Sequence, residues 1–298
     1  MSSSPQKLLS ITQIVQEIDK GATFDIMKDV EKISGSNDLQ DYLKKEMKSS
    51  DVKELRRCLK LFKFEYILKK REGQIFFNKA QHRYLINSKY HTPVTQYIHE
   101  KRNVSPEFFY MQKNKLTKSD FDLIKGNKEV KDEFEAQEKK FREAGKKGTD
   151  IHLQIKKALK IYEKGKKSDD PLIQLIYDFI DKKDYDNIFF ERRLYTEVEM
   201  AGTFDFLGFK GDTIDLVDWK TCDKIWSFSQ LKLSPPFDKL DDCNLNVYSL
   251  QLCMYKYMLE KEYELQNVNM SFVVVKPEGL TEYPVTQEFY ENNKAFKY

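Results

Sequence analysis

A chain of 298 residues, 40% hydrophobic and 33% charged, can bury a sizeable core, which excludes wholesale disorder; it has room for one domain plus an extension, or for two small domains. The formal net charge of +3 excludes a globally basic polyanion binder, so any nucleic-acid contact must come from a local patch. No apolar run reaches membrane-spanning length, and Met1-Ser2-Ser3-Ser4-Pro5 lacks the basic-then-apolar pattern of a signal peptide, so an intracellular setting without membrane association is expected.

In chain order, residues 1–72 read as a helical N-terminal extension. Leu8, Leu9, Ile11, Ile14, Val15 and Ile18 recur at helical spacing, and Gly21 and Ser34-Gly35-Ser36-Asn37 punctuate the pattern. Asp51 to Glu72 forms a second helical stripe through Leu55, Cys58, Leu59, Phe62, Tyr66 and Ile67. Its other positions include Arg56, Arg57, Lys60 and Lys63, cations suited to tracking a phosphate backbone. The plainer reading is a solvated face, since Glu54, Glu65 and Glu72 dilute the charge.

Residues 73–298 read as the main domain. Gln74-Ile75-Phe76-Phe77, Arg83-Tyr84-Leu85-Ile86 and Thr92-Pro93-Val94 are short strands between turn-compatible residues. Helices follow at Asp132 to Lys164 and at Leu172 to Phe179, then a strand from Asn187 to Thr196. The segment Trp226 to Asn244 is long for a connection. A strong helix at Leu245 to Tyr263 and a strand at Val268 to Val275 complete an α/β sandwich around a mixed sheet.

The most informative stretch is Met200 to Lys220. Two runs rich in aromatic and apolar residues flank a Lys210-Gly211-Asp212 turn signal. With Gly211-Asp212 as the loop, Lys210 lies opposite Thr213 and Asp205 opposite Asp218. Lys220, two residues further, shares their face. Directly opposed like charges repel, and Ile214, Leu216 and Val217 make the surroundings apolar. A divalent cation between the carboxylates removes the conflict, and oxygen ligands suit Mg²⁺ or Mn²⁺.

An acid on one strand followed by Asp-x-Lys on the next resembles the core of the PD-(D/E)XK nuclease superfamily, in particular its RecB-like branch of CRISPR-adaptation and mitochondrial genome maintenance exonucleases. Further matches follow in the family's order across roughly residues 75–275. Gly148-Thr149-Asp150-Ile151-His152 resembles the helical Gly-x-x-x-His element, and Glu191 the acid of the first core strand. Gly202-Thr203-Phe204-Asp205 resembles the Gly-x-x-Asp strand, and Gln251 to Tyr255 the Gln-x-x-x-Tyr helix. His82-Arg83-Tyr84 through Thr92-Pro93-Val94-Thr95 is similar to the lead-in of phage and large-virus members. The resemblance implies a restriction-endonuclease-like mixed sheet flanked by helices.

It also implies roles. His152, Asp205, Asp218 and the backbone carbonyl of Trp219 hold one or two Mg²⁺ or Mn²⁺ ions, and Glu191 sits at the edge of that site. Lys220 orients water or stabilises phosphate charge, while Gln251 and Tyr255 face the active site. Each also has a plain alternative: a core histidine, a surface ion pair of Glu191 with an arginine, a boundary pair on an amphipathic helix. Gly145 and Gly148 are expected to let the His152 helix approach the sheet. Some members carry an iron–sulfur cluster on cysteines grouped near the C-terminus; Cys58, Cys222, Cys243 and Cys253 lack that grouping, so no cluster is expected.

The expected function is metal-dependent DNA hydrolysis in repair, recombination or replication, acting on single strands or free ends in the manner of an exonuclease. The alternatives are a catalytically inactive nucleic-acid-binding module of the same fold and an RNA endonuclease.

Overall fold

The structure is a computed structural model that describes residues 49–78, 81, 83–197 and 200–294. The stripe of Leu8 to Ile18, the punctuation at Gly21 and 34–37, and His82 and Glu199 lie outside the described residues. The chain divides into two compact units, 1–65 and 66–298. In the first, the described residues belong to helix α1 (Ser49–Glu72), whose last turns lie in the second unit. The division therefore falls earlier than the 72/73 boundary read from the sequence. Within the second unit, Arg71 pairs with Glu262 at 3.1 Å and lies over the Tyr195 ring, and Glu72 accepts a forked pair of hydrogen bonds from Arg192.

The second unit is an α/β fold: a mixed sheet of eight strands flanked by helices. An antiparallel meander of β1 (Ile75–Asn78), β2 (Arg83–Ile86) and β3 (Lys89–Pro93) leads into α2 (Val94–His99). Thr92-Pro93-Val94, expected as strand throughout, changes element at Pro93. Proline's fixed φ and missing N–H suit the residue before a first turn, and Val94 is buried as that turn begins. Two helices absent from the sequence reading follow, α3 (Pro106–Asn114) and α4 (Lys118–Ile124). Each starts from a side-chain cap, Ser105 and Thr117.

Helix α5 (Lys128–Leu159) and α6 (Pro171–Lys183) precede the central strands β4 (Asn187–Tyr195), β5 (Met200–Lys210) and β6 (Thr213–Lys220). Asp170 caps α6 by accepting from the backbone of Leu172 and Ile173, with Pro171 at its first position. β4 and β6 flank β5, both antiparallel, and β3 joins β5 in parallel at Thr92↔Met200. The hairpin turn is the expected one, with Lys210 opposite Thr213 and Gly211 at a φ of 57°. Residues 221–243 carry no helix or strand beyond one bridge between Lys232 and Asp241. The connection then becomes α7 (Asn244–Glu262) and crosses to β7 (Val268–Lys276), which pairs with β6 in parallel.

An antiparallel edge strand, β8 (Gly279–Val285), and α8 (Gln287–Asn293) close the fold. The sequence reading lacked both. Glu282 and Pro284 blunt the apolar alternation of β8, as suits an edge strand. One core joins Ile155, Ile176, Tyr177 and Ile180 of α5 and α6 to Phe206, Val217, Trp219 and Val273 of the sheet. No helix among the described residues is long and apolar enough to cross a membrane.

Candidate metal centre

The site grows from a fork in the sheet. The β5–β6 ladder runs from the turn to Phe206↔Val217, where Asp205 and Asp218 are next in register. Here a side chain replaces the backbone ladder: the Trp219 amide donates to Asp205 Oδ2 at 2.8 Å. The Trp219 ring faces the opposite way, wholly buried between Phe179 and Phe206 as its alternation requires. Asp218 is buried, and its carboxylate forms an ion pair with the Lys220 ammonium. Gln251 holds both partners, donating to Asp218 Oδ1 at 3.2 Å and accepting from Lys220 Nζ at 2.9 Å. The other side of Lys220 rests on the Tyr248 ring, 4.6 Å from its centre.

Two further elements deliver groups to Asp205. From α5, His152 Nδ1 lies 3.4 Å from Asp205 Oδ2. From β4, Glu191 stands opposite Asp205 in register, between the pairs Phe190↔Phe206 and Arg192↔Phe204. Glu191 has a φ of 52°, left-handed backbone in mid-strand. A non-glycine residue there costs on the order of 1–3 kcal/mol, and such strain clusters at functional sites. The carboxylate binds Lys156, which donates to Glu191 Oε2 at 3.3 Å. The partner is therefore a lysine rather than either flanking arginine; Arg192 is engaged by Glu72.

Among the described residues, His152, Glu191 and Asp205 form a group whose ligand atoms all lie within 4.8 Å of one another. Asp218 stands beside this group, on Lys220 and Gln251. One imidazole nitrogen with carboxylate oxygens is a donor set that fits Mg²⁺ or, better with the nitrogen, Mn²⁺. The charge balance points the same way. Burial and Asp205 push the Glu191 carboxyl up, against the pull of Lys156. Burial also pushes Asp218 up to about 6, with Asp205 adding to it and Lys220 opposing. Burial disfavours a charged His152, but Asp205 and Asp218 outweigh it and raise the imidazole to about 9. Burial likewise opposes ionisation of Asp205, yet His152 and Lys220 hold that carboxyl below its ordinary range. Three acids thus crowd one fork, and a proton on His152 adds to the cationic charge that Lys220 and Lys156 supply there.

The motif glycines have defined neighbours. A Cβ on Gly202 would lie 2.5 Å from the Tyr255 ring and 3.0 Å from its hydroxyl, so the β5 glycine makes room for the α7 tyrosine. Tyr255 is buried, and burial with the Asp218 and Asp205 charges pushes its phenol well above the usual range. Tyr84 joins this layer through a 3.1 Å contact with the Thr203 hydroxyl. A Cβ on Gly148 would meet the Thr221 hydroxyl at 2.9 Å, so α5 does approach the end of β6 there. Gly145 has open space around it, and the close approach expected at that position is absent.

His152, Glu191, Asp205, Asp218, Trp219, Lys220, Gln251 and Tyr255 are therefore one neighbourhood. Arg57, Lys60 and Lys63 lie on α1 in the first unit, and the side chain of Arg56 is outside the described ones. Two groups escaped the sequence reading. Lys156 lies one helical turn beyond His152, a spacing that marks the same face. Tyr248 lies three residues before Gln251 on α7, a spacing that likewise marks the same face.

No family model matches the chain, and no curated protein matches it either. Among solved structures, that of SSO0001 is similar over 76% of this chain and 81% of its own, at 13% identity and a TM-score of 0.31.

Proposed function

We propose that this chain is a metal-dependent nuclease of the PD-(D/E)XK type that hydrolyses DNA phosphodiester bonds, acting on single strands or free ends as an exonuclease does. The observation that carries the reading is the convergence of His152, Glu191 and Asp205 within 4.8 Å, beside a buried Asp218–Lys220 pair fixed by Gln251. His152, Glu191 and Asp205, with Asp218 and the Trp219 carbonyl alongside, would hold a cation of the Mg²⁺ or Mn²⁺ class, which would supply charge stabilisation for the phosphate and a more acidic water molecule.

The chain's own groups do the rest. Lys220, paired with Asp218 and positioned by Gln251 and the Tyr248 face, donates to the nucleophilic water or to a phosphate oxygen as charge develops. Gln251 and Tyr255 fix the floor beneath it. Glu191 is committed to the acid cluster by its backbone as much as by its charge. Arg56, Arg57, Lys60 and Lys63 are proposed DNA contacts of α1.

The test is digestion of end-labelled single- and double-stranded DNA, with free and blocked ends, in Mn²⁺ and in EDTA, with matched RNA alongside. The expected result is nucleotide release from DNA in Mn²⁺ alone, requiring a free end. Tight oligonucleotide binding without cleavage in Mn²⁺ would instead identify a binding module, and preferential RNA cleavage would reassign the substrate.

A further inference from the structure

Helix α5 does more than deliver His152. Toward its C-terminal end it becomes basic, and Lys140, Lys146, Lys147, Lys157 and Lys160 have no carboxylate partner among the described residues. Lys146, Leu153, Lys157 and Lys160 follow one another at spacings of seven, four and three, all exposed, so they form one stripe. Leu153 is 48% exposed within it, an apolar side chain between cations rather than in the core.

The stripe ends at a groove of about 290 Å³ between the end of α5 and β4. It is lined by Lys156, Lys160, Ile188, Phe189, Phe190 and Arg192, together with Glu191 of the acid cluster. Phe189 is partly exposed, braced edge-on against Phe209 at 5.6 Å. Cations beside an aromatic ring, opening onto a carboxylate cluster, are chemistry for a polyanion that carries flat rings. The volume is at the lower limit of the roughly 300–1,000 Å³ that hold small ligands, so it admits a single unit of such a polymer. Aromatic rings can stack only on bases that are free of a duplex.

We propose that this groove is a subsite for one unpaired nucleotide of the substrate strand, next to the bond that is cut. Lys160 and Lys156 take its phosphate, and its base lies on Phe189. The assignment rests on the nuclease reading above. It gives Lys156 two partners, Glu191 in the free protein and the phosphate in the complex, and it directs the strand along the basic stripe of α5.

Fluorescence anisotropy of full-length protein with a short labelled oligothymidylate, in EDTA so that nothing is cleaved, tests this across a range of salt. Phe189→Leu keeps an apolar side chain against Phe209 and removes the stacking face; affinity for the single strand should fall about tenfold. Lys160→Ala should weaken binding and reduce the slope of log affinity against log salt by about 0.7, the value for one single-strand phosphate contact. Lys261→Ala, an exposed lysine on α7, should change neither quantity. Wild-type affinity and slope in both groove variants overturns the subsite, as does polyglutamate competing as well as the oligonucleotide at equal charge. The parent reading fails separately: a wild-type protein that binds the strand in a groove-dependent way but neither binds Mn²⁺ nor cleaves DNA keeps the subsite and loses the nuclease.

Discussion

Asp218 and Asp242 are both almost wholly withdrawn from solvent, and their surroundings are opposite. Asp242, in the connection before α7, accepts from Arg102 Nε at 2.9 Å and from the backbone amides of Asn103 and Val104 at 2.5 and 2.6 Å. Every neighbour is a donor, so burial is compensated and the residue fastens 102–104 to the long connection. Asp218 has one ammonium and one amide, with Asp205 pressing on it from β5. A buried acid among donors is explained by the fold. A buried acid among acids is not, and it asks for a cation.

The widest separation between the two should come from neutralising each. Asp218→Asn is expected to lower DNA cleavage by about a thousandfold, in line with the several kcal/mol of charge stabilisation that a metal site supplies. Its unfolding midpoint in EDTA should be unchanged or higher, because a repulsion is relieved. Cleavage near the wild-type rate would remove Asp218 from the site. Asp242→Ala should do the reverse. It strands a half-buried guanidinium and two backbone amides and should cost about 3 kcal/mol in urea denaturation. A cost under about 1 kcal/mol would show that the fastening is dispensable.

A smaller effect tests the layer beneath the acids. Gly202→Ala drives a methyl group into the Tyr255 ring and should destabilise the protein by about 1–3 kcal/mol, as overpacked cores do. In a Tyr255→Leu background the penalty should shrink, since the two positions are coupled by contact. Additive losses would mean that the strain is relieved elsewhere.

The smallest effect is a pH dependence without metal. His152 is raised from 6.5 to about 9, so its contribution to stability is fully present below pH 6.5 and is lost as pH rises through 9. Asp218, raised to about 6, has already lost its contribution by pH 6.5, which leaves this window to the histidine. Melting in EDTA should fall by several degrees between pH 6.5 and 9, and His152→Gln should flatten the curve. A flat wild-type curve would mean that the imidazole is neutral throughout.

These contrasts also mark what was legible in the sequence. The hairpin register was, because a Gly-Asp turn and alternating apolar residues fix it: Lys210↔Thr213 sets every later pair up to Asp205 and Asp218. That Lys220 shares a face with Asp218, and Gln251 one with Tyr255, followed from periods of two and 3.6; that the two faces meet was implied only by the family resemblance. Asp242 was not legible, because its three donors lie about 140 residues away and no local pattern announces them. Nor was Lys156, whose meaning depends on the backbone of Glu191. The helices α3 and α4 are short and polar, and β8 is an edge strand with a proline, so periodicity carries little information there. Gly145 and Gly148 look alike in sequence, and only the position of Thr221 separates them.

The left-handed backbone at Glu191 has an evolutionary consequence. At that position glycine relieves the strain and any other residue bears it, so a chain under selection for folding alone drifts toward glycine. On the nuclease reading proposed above, the glutamate is kept there for its carboxylate. A duplicated copy relieved of its function should lose Glu191 among the first of the cluster, gaining thermal stability as it does, whereas Asp242 should outlast the activity because the fold itself depends on it.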